Sequence, residues 1–403
     1  MLKEWRSSPN GLIPVFLDKP SAETEHDELM LRSKGFMKIT SAVQEAGKGS
    51  SVNTLRLAYP WRILLVGVGL ILVVGALAAS LGSVSIPPST VLKIIASKVP
   101  FIDVDQSWPN SWDTILWKLR FPRIVLAGLV GAALAVSGAT YQGLFRNPLA
   151  SPSLIGASSG AGLGATVVLV TGVPHYFYGI STLPVAAFLG GVSVVMIACL
   201  VAQQSSRLSL TRLILAGVAL SFFTGAITSL LMIRSDPDLR PVLGWLLGSF
   251  ASSQWKHSLI VTLYLVPSLL LVMMYGRILN IFQLDEEQAF QLGVNVQRTK
   301  ILLIIAATLA TATAVSFSGP ILFVGLIAPH AVRLVWGIEY RFLLPMSGIV
   351  GAGFLILADL VARTVVSPTE LPVGIITAFC GAPFFIYLLR WRQGRTDGIA
   401  TTK

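Results

Sequence analysis

The side chains able to do chemistry in this chain are few, and most stand at the ends of long uncharged stretches. Arg120 and Arg123, in Arg120-Phe121-Pro122-Arg123, have the i, i+3 spacing that puts two guanidiniums on one helix face. Pro122 suits a first helical turn, where each cation opposes the helix dipole at a cost of about 0.3–1 kcal/mol. Two readings remain open. The arginines are long side chains reaching for an interface, or a basic patch that receives an acidic partner. Asp359 and Arg363 are spaced i, i+4, as a pair on one helix face. That pair is purely structural, or Arg363 reaches out toward the face bearing Arg120 and Arg123.

Other chemistry finds little support. His330, in Gly325-Leu326-Ile327-Ala328-Pro329-His330, has no Cys, Asp or second His at ligand spacing, so no metal site is expected. Cys199 and Cys380 fall inside apolar stretches and read as small buried hydrophobes. Gly47-Lys48-Gly49-Ser50 lacks the upstream glycine of a phosphate-binding loop, so any ATP is hydrolysed by another chain. No cluster of His, Asp, Glu or Cys suggests an enzyme, and no cofactor is expected. An ion-coupled carrier needs an intramembrane titratable network, and only Asp359 with Arg363 offers one.

Two further segments carry information. In 284–296, Asp285 and Glu286 suit a helix start and Gly293 a helix stop. Ala289, Phe290 and Leu292 are too apolar for a free loop. A helix lying on a membrane normally shows a basic polar face, and this one is acidic, so docking on a soluble partner is the favoured reading. The other segment, 146–165, repeats Gly156, Gly160 and Gly164 at i, i+4, with Ser158 and Ser159 between them. Such a face permits close helix packing or lines a wide passage, and the two are compatible.

The elements that must position these residues are membrane helices. Only 12% of the 403 residues are charged, against about 25% in soluble domains. No charged residue stands between Arg123 and Arg146, Arg146 and Arg207, Lys256 and Arg277, or Lys300 and Arg333. About 20 apolar residues span the hydrocarbon core, and in lipid such stretches are helical. The chain is therefore expected to be an all-α, polytopic membrane protein with ten spans, near 63–82, 124–145, 153–171, 183–204, 212–233, 258–276, 301–318, 320–336, 343–363 and 371–389. The net charge of +11 is scattered over helix ends without a basic stripe, which argues against nucleic acid. Arg146, Arg207, Arg212, Arg277, Arg298, Lys300, Arg333 and Arg341 favour the side bearing both termini, so both termini are placed in the cytoplasm. Residues 1–60 read as a polar, flexible cytoplasmic extension, with Met30 and Met37 as alternative starts. A membrane-spanning body is expected over 61–392 and a short cytoplasmic tail over 393–403.

In these segments the sequence resembles the FecCD permease family, the membrane subunits of bacterial ABC importers for iron-siderophores, haem and cobalamin. The resemblance rests on Arg120-Phe-Pro-Arg123, Gly138 through Gly164 with Asn147-Pro148-Leu149-Ala150, Gln291-Leu292-Gly293, Gly325 to His330, Asp359 with Arg363, and Glu370-Leu-Pro-Val-Gly374 with Gly381-Ala-Pro383. It implies a type II ABC importer permease in a bacterial or archaeal cytoplasmic membrane, without an ATPase site of its own. The implied partners are a second permease subunit, two ATPase subunits and an extracytoplasmic substrate-binding protein. It further implies that Arg120, Arg123 and Arg363 dock glutamates of that protein. Asp285, Glu286, Ala289, Phe290, Leu292 and Gly293 fall on the ATPase coupling loop. Iron-siderophore is the first expectation for the substrate, with cobalamin or another corrinoid, or haem, as the alternative.

Overall fold

Each long uncharged stretch forms a helix, the form in which a backbone in hydrocarbon satisfies its own hydrogen bonds. The computed structural model describes residues 61–100, 104–174, 176–177, 180–204, 207–234 and 239–400, with side chains as far as Tyr387, and the dipeptides 5–6 and 13–14. The chain divides into two units, Met1–Tyr59 and Pro60–Lys403. In the first, Trp5–Arg6 pairs antiparallel with Ile13–Pro14. The rest of the 1–60 extension, including Met30, Met37 and Gly47 to Ser50, lies outside the described residues.

Among its described residues the second unit is all-α apart from two-residue ribbons. Its helices are α1 (Trp61–Ser80), α2 (Pro88–Ala96), α3 (Asn110–Leu144), α4 (Ala157–Val170), α5 (Thr182–Ala202), α6 (Leu210–Arg234) and α7 (Arg240–Leu246). They continue as α8 (Trp255–Met274), α9 (Gly276–Ile281), α10 (Glu286–Gln291), α11 (Val296–Ser318), α12 (Val324–Trp336), α13 (Tyr340–Thr364) and α14 (Val373–Ala400). The helix α14 runs on through most of the range expected to be a tail.

Burial sorts the helices into two layers. The most apolar window of α3 and of α11 is 72% buried, whereas those of α1, α6 and α8 are 28% buried. The inner layer packs through glycines. A Cβ on Gly138 of α3 would lie 2.0 Å from the Gly325 carbonyl oxygen of α12, so the two backbones touch. The outer helices expose Leu65, Phe222, Phe223 and Met274, a surface that suits lipid.

Among the described residues, seven helices are long and apolar enough to cross a membrane, and three shorter apolar ones, Ala157–Val170, Val324–Trp336 and Val373–Tyr387, fall on the remaining stretches expected to cross. The shortening has visible causes. The 3₁₀ turn Pro152–Ile155 and left-handed Gly156 (φ +90°) precede α4. Gly156 is therefore a junction, not the first member of the α4 glycine face as the spacing alone suggests. Non-helical backbone from Gly319 to Phe323 precedes α12. Such backbone is tolerated at membrane depth where protein covers it. Here Ser249 N–H donates to Ser318 O at 2.8 Å, and Val373 and Gly374 donate to Gly248 O and Leu247 O at 3.0 and 3.1 Å. Three chain breaks thus satisfy one another.

The segment Ser83–Leu119 also differs from a plain loop. It holds α2 and the first turns of α3, and Ile86, Val91, Ile94, Trp108 and Leu116 are buried together. α3 therefore starts at Asn110, well before Pro122. A π-helical stretch, Ile115–Arg120, leads into Pro122, as expected where a proline lacks an N–H and crowds the preceding turn. Arg120 and Arg123 are mid-helix residues, and the dipole cost assigned to them from sequence does not arise.

Candidate functional site

At the α1 C-terminus the structure brings Arg120, Arg123, Arg363 and Asp359 together, all buried. Arg123 and Asp359 form a two-pronged pair, with Nε to Oδ2 at 2.9 Å and Nη2 to Oδ1 at 2.8 Å. Arg123 Nη1 also meets Glu370 Oε2 at 2.7 Å. The pair anticipated within α13 is longer, with Arg363 Nε 4.0 Å from Asp359 Oδ2. Arg123, 236 residues away in sequence, is the nearer partner of Asp359.

Arg120 and Arg363 turn inward to the end of α1. Arg120 donates to the carbonyls of Ala79, Ser80 and Val84, and Arg363 to that of Ala78. The last carbonyls of a helix lack intrahelical donors and carry about half a negative charge. Three guanidiniums facing two carboxylates (3 − 2) leave one positive charge, and the α1 terminus offsets part of it. The cluster ties α1, α3, α13 and the turn before α14 into one end of the bundle. Glu370 is its accessible member, its side chain 43% exposed against 10% for Arg123. Spacing along one helix could not reveal this. Pairing α3 with α13 needs tertiary structure, and Glu370 drew notice only as part of a motif.

At the opposite end, α10 is held against the bundle by two ion pairs. Arg146 Nη1 lies 3.0 Å from Asp285 Oδ1 and donates to Leu284 O at 3.1 Å. Lys300 Nζ lies 2.7 Å from Glu286 Oε1, and Lys300 is buried in α11. Ala289 is fully buried beneath the helix, while Phe290 and Leu292 are exposed. Gly293 ends the helix with φ +81°, and its N–H donates to Phe290 O. The segment is thus a rigid knob with an apolar outer edge. Its clasp by Lys300 was missed because a single loop-end cation in sequence does not announce its partner.

The small-residue segment packs tightly. A Cβ on Gly160 would lie 2.4 Å from Gly190 O, and one on Gly164 2.1 Å from Ala186 O, both in α5. Ser159 Oγ lies 3.0 Å from Gly156 O and 3.1 Å from Ser221 Oγ, within reach of either for its single O–H. Ser158 is half-buried. A hollow of about 580 Å³ lies by the three chain breaks, walled by Leu247, Pro320, Leu322, Gly374 and Phe379. Its walls are apolar, offering contact without a strong binding group. His330 packs edge-on against Phe384, their ring centroids 6.0 Å apart.

The comparisons agree with this architecture. Residues 60–391 match the model of the FecCD transport family. The chain is 45% identical over 287 residues to the cobalamin import system permease protein BtuC of Halobacterium salinarum, covering 71% of this chain and 76% of that protein. It is 39% identical over 297 residues to the hemin transport system permease protein HmuU of Yersinia pestis, covering 72% and 88%. It is 40% identical over 334 residues to the ABC transporter permease YvrB of Bacillus subtilis, covering 82% and 94%. A structure assigned to a metal-chelate type ABC transporter, in an inward-facing conformation, aligns with TM-score 0.71 and 34% identity, covering 82% of this chain and 99% of that one.

Proposed function

This chain belongs to the FecCD transport family, and from that premise we propose that it is the membrane-spanning permease subunit of an importer for cobalamin or a related corrinoid. The observation that carries the substrate is the 45% identity to a cobalamin import permease across 71% of the chain. Permeases named for vitamin B12 import in Photorhabdus laumondii and Vibrio vulnificus, 39% and 38% identical, point the same way. The iron-siderophore expectation thus yields first place to its alternative. Haem is the second reading, favoured by the Yersinia pestis relative.

In this reading the chain crosses the cytoplasmic membrane ten times, with both termini inside. Two copies, or this chain and a near relative, enclose the passage. Two ATPase subunits seat on α10 through Phe290 and Leu292, and hydrolysis moves the bundle through the Arg146 and Lys300 clasps. A substrate-binding protein docks at the end bearing Arg123, where its carboxylates replace Glu370. An apolar wall suits a bulky chelate that must not be held tightly, since tight recognition belongs to the binding protein.

The test is uptake into proteoliposomes carrying the permease with its ATPase and binding protein. ATP-dependent accumulation of labelled cobalamin, with little haemin or ferric siderophore, is the expected result. Uptake of ferric siderophore without cobalamin would overturn the substrate and leave the family standing.

A further inference from the structure

Two neighbouring cavities share Leu208 as a wall at the bundle end that carries α10, one between α5 and α11 and the other where the α5–α6 connection faces Arg146, Glu286 and Lys300. The first, about 370 Å³, is apolar, walled by Met196, Cys199 and Leu200 of α5 and Ile301 and Ile305 of α11. The second, about 540 Å³, is polar and includes Arg146, Arg207, Lys300, Glu286 and Gln204 in its lining. Leu208 lines both. Met196 and Leu200 are exposed, so the apolar limb opens on an exposed apolar side of α5. At 1.5 Å per residue, Met196 lies about 9 Å from the α5 terminus, inside a single leaflet of a core about 30 Å thick.

The polar limb is cationic. Arg146, Arg207 and Lys300 face one lining carboxylate, Glu286. Arg146 is held by Asp285 and Lys300 by Glu286. Arg207 is exposed and makes no ion pair among the described residues. A small soluble anion would use this limb and leave the apolar one empty. A neutral lipid would fill the apolar limb and leave Arg207 unused. An anionic amphiphile uses both, and basic pockets between membrane helices on the cytoplasmic side suit anionic headgroups.

We infer that this hollow binds one anionic phospholipid of the cytoplasmic leaflet, with an acyl chain between α5 and α11 and its phosphate at Arg207, in front of Lys300. The inference rests on the cytoplasmic assignment of the α10 end in the proposed function. Because Lys300 also holds Glu286, a phosphate placed there bears on how firmly α10 is seated.

The experiment is native mass spectrometry of the assembled transporter, titrated with phosphatidylglycerol or with phosphatidylcholine of matched chains. One phosphatidylglycerol per permease subunit is expected, with phosphatidylcholine retained much less. Arg207→Glu should weaken phosphatidylglycerol binding by about tenfold. Met196→Trp should do the same by filling the apolar limb, and Leu200→Trp fills that limb if the first variant does not assemble. Arg212→Glu, at the same end but outside the hollow, should leave binding unchanged. Equal retention of the two lipids would overturn the site, as would equal loss in the Arg212 variant. Displacement by millimolar inorganic phosphate, or indifference to the tryptophan variants, would show a free-anion site instead. None of these readouts depends on which chelate is carried, so failure here is separable from failure of the transport reading.

Discussion

Arg123 on α3 and Asp359 on α13 hold each other through two parallel hydrogen bonds of 2.8 and 2.9 Å, with both side chains nearly sealed from solvent. Breaking a buried pair by removing one partner typically costs about 3–5 kcal/mol, because the other charge stays buried. Asp359→Asn is therefore expected to destabilise the permease by about that amount, read as a fall in detergent thermal stability. Replacing both together, Arg123→Met with Asp359→Leu, should be milder than Asp359→Asn alone, because it no longer leaves Arg123 buried without its carboxylate. A single variant as stable as the parent would show that the pair contributes nothing to holding α3 against α13.

Glu370 is the test of docking at this end. It holds Arg123 Nη1 at 2.7 Å while half exposed, so it occupies the place an incoming carboxylate needs. Glu370→Gln removes its charge and nearly preserves its shape. Docking of the binding protein should tighten, by an amount that shrinks as salt is raised, since exposed pairs contribute only about 0–1 kcal/mol each. Reversing Arg120 or Arg123 is a poorer probe, because both are buried and bonded within the chain. Unchanged affinity in Glu370→Gln across ionic strength would remove Arg123 from the docking surface.

How far the sequence reached follows from what each signal depends on. Helix positions were legible because hydrocarbon permits little else: among the described residues, seven of the ten expected stretches carry helices long and apolar enough to cross, and the other three carry shorter apolar helices. The start of α3 was not, because Pro122 looks like a first-turn residue unless a π-helical stretch ahead of it makes room. Gly156, Gly160 and Gly164 looked alike at equal spacing, yet only the backbone separates a left-handed junction from a packing contact. The stop at Gly293 was readable from local rules, and its φ of +81° agrees. The Arg123–Asp359 and Lys300–Glu286 links were hidden, since local spacing reports only partners on the same helix.

At α10 the exposed edge can be tested without touching the clasp. Phe290→Ala removes an exposed aromatic ring from a helix whose buried side is Ala289. Membrane insertion and thermal stability should stay near the parent. ATPase association should weaken by more than about 1 kcal/mol if Phe290 is an anchor of that interface. Gly293→Val acts differently: nothing lies within 4 Å of an added Cβ, but φ of +81° strains a β-branched residue. It should distort the α10 stop and reduce transport. Full ATPase co-purification with Phe290→Ala would exclude this ring from the docking surface.

Two glycines separate packing from lipid exposure. Gly138→Val would drive a Cβ to 2.0 Å from Gly325 O, a backbone atom that cannot step aside alone. Overpacking of this kind costs about 1–3 kcal/mol or more, and α3 must part from α12. Gly69→Val on α1 meets nothing within 4 Å and faces outward, so stability should hold. Equal melting temperatures for the two variants would refute the close contact of α3 with α12.

Topology gives the broadest test. Asp105 precedes α3, and Arg146, just past its other end, binds Asp285 beside α10. A 35-residue helix is about 52 Å long, so Asp105 and Glu287 stand at opposite ends of the bundle. In the proposed orientation, argued from the arginine distribution, the α10 end lies inside. In a chain with Cys199 and Cys380 replaced by serine, a cysteine at 105 should react in intact cells with a membrane-impermeant maleimide. A cysteine at 287 should react only after the cells are opened, and both positions are exposed, so burial cannot mimic protection. Labelling at 287 in intact cells with protection at 105 would invert the molecule. It would place the Arg123 cluster beside the ATPases and α10 beside the binding protein, and the phospholipid site would move to the outer leaflet. Labelling at both positions in intact cells would be incompatible with a bundle that spans the bilayer along α3.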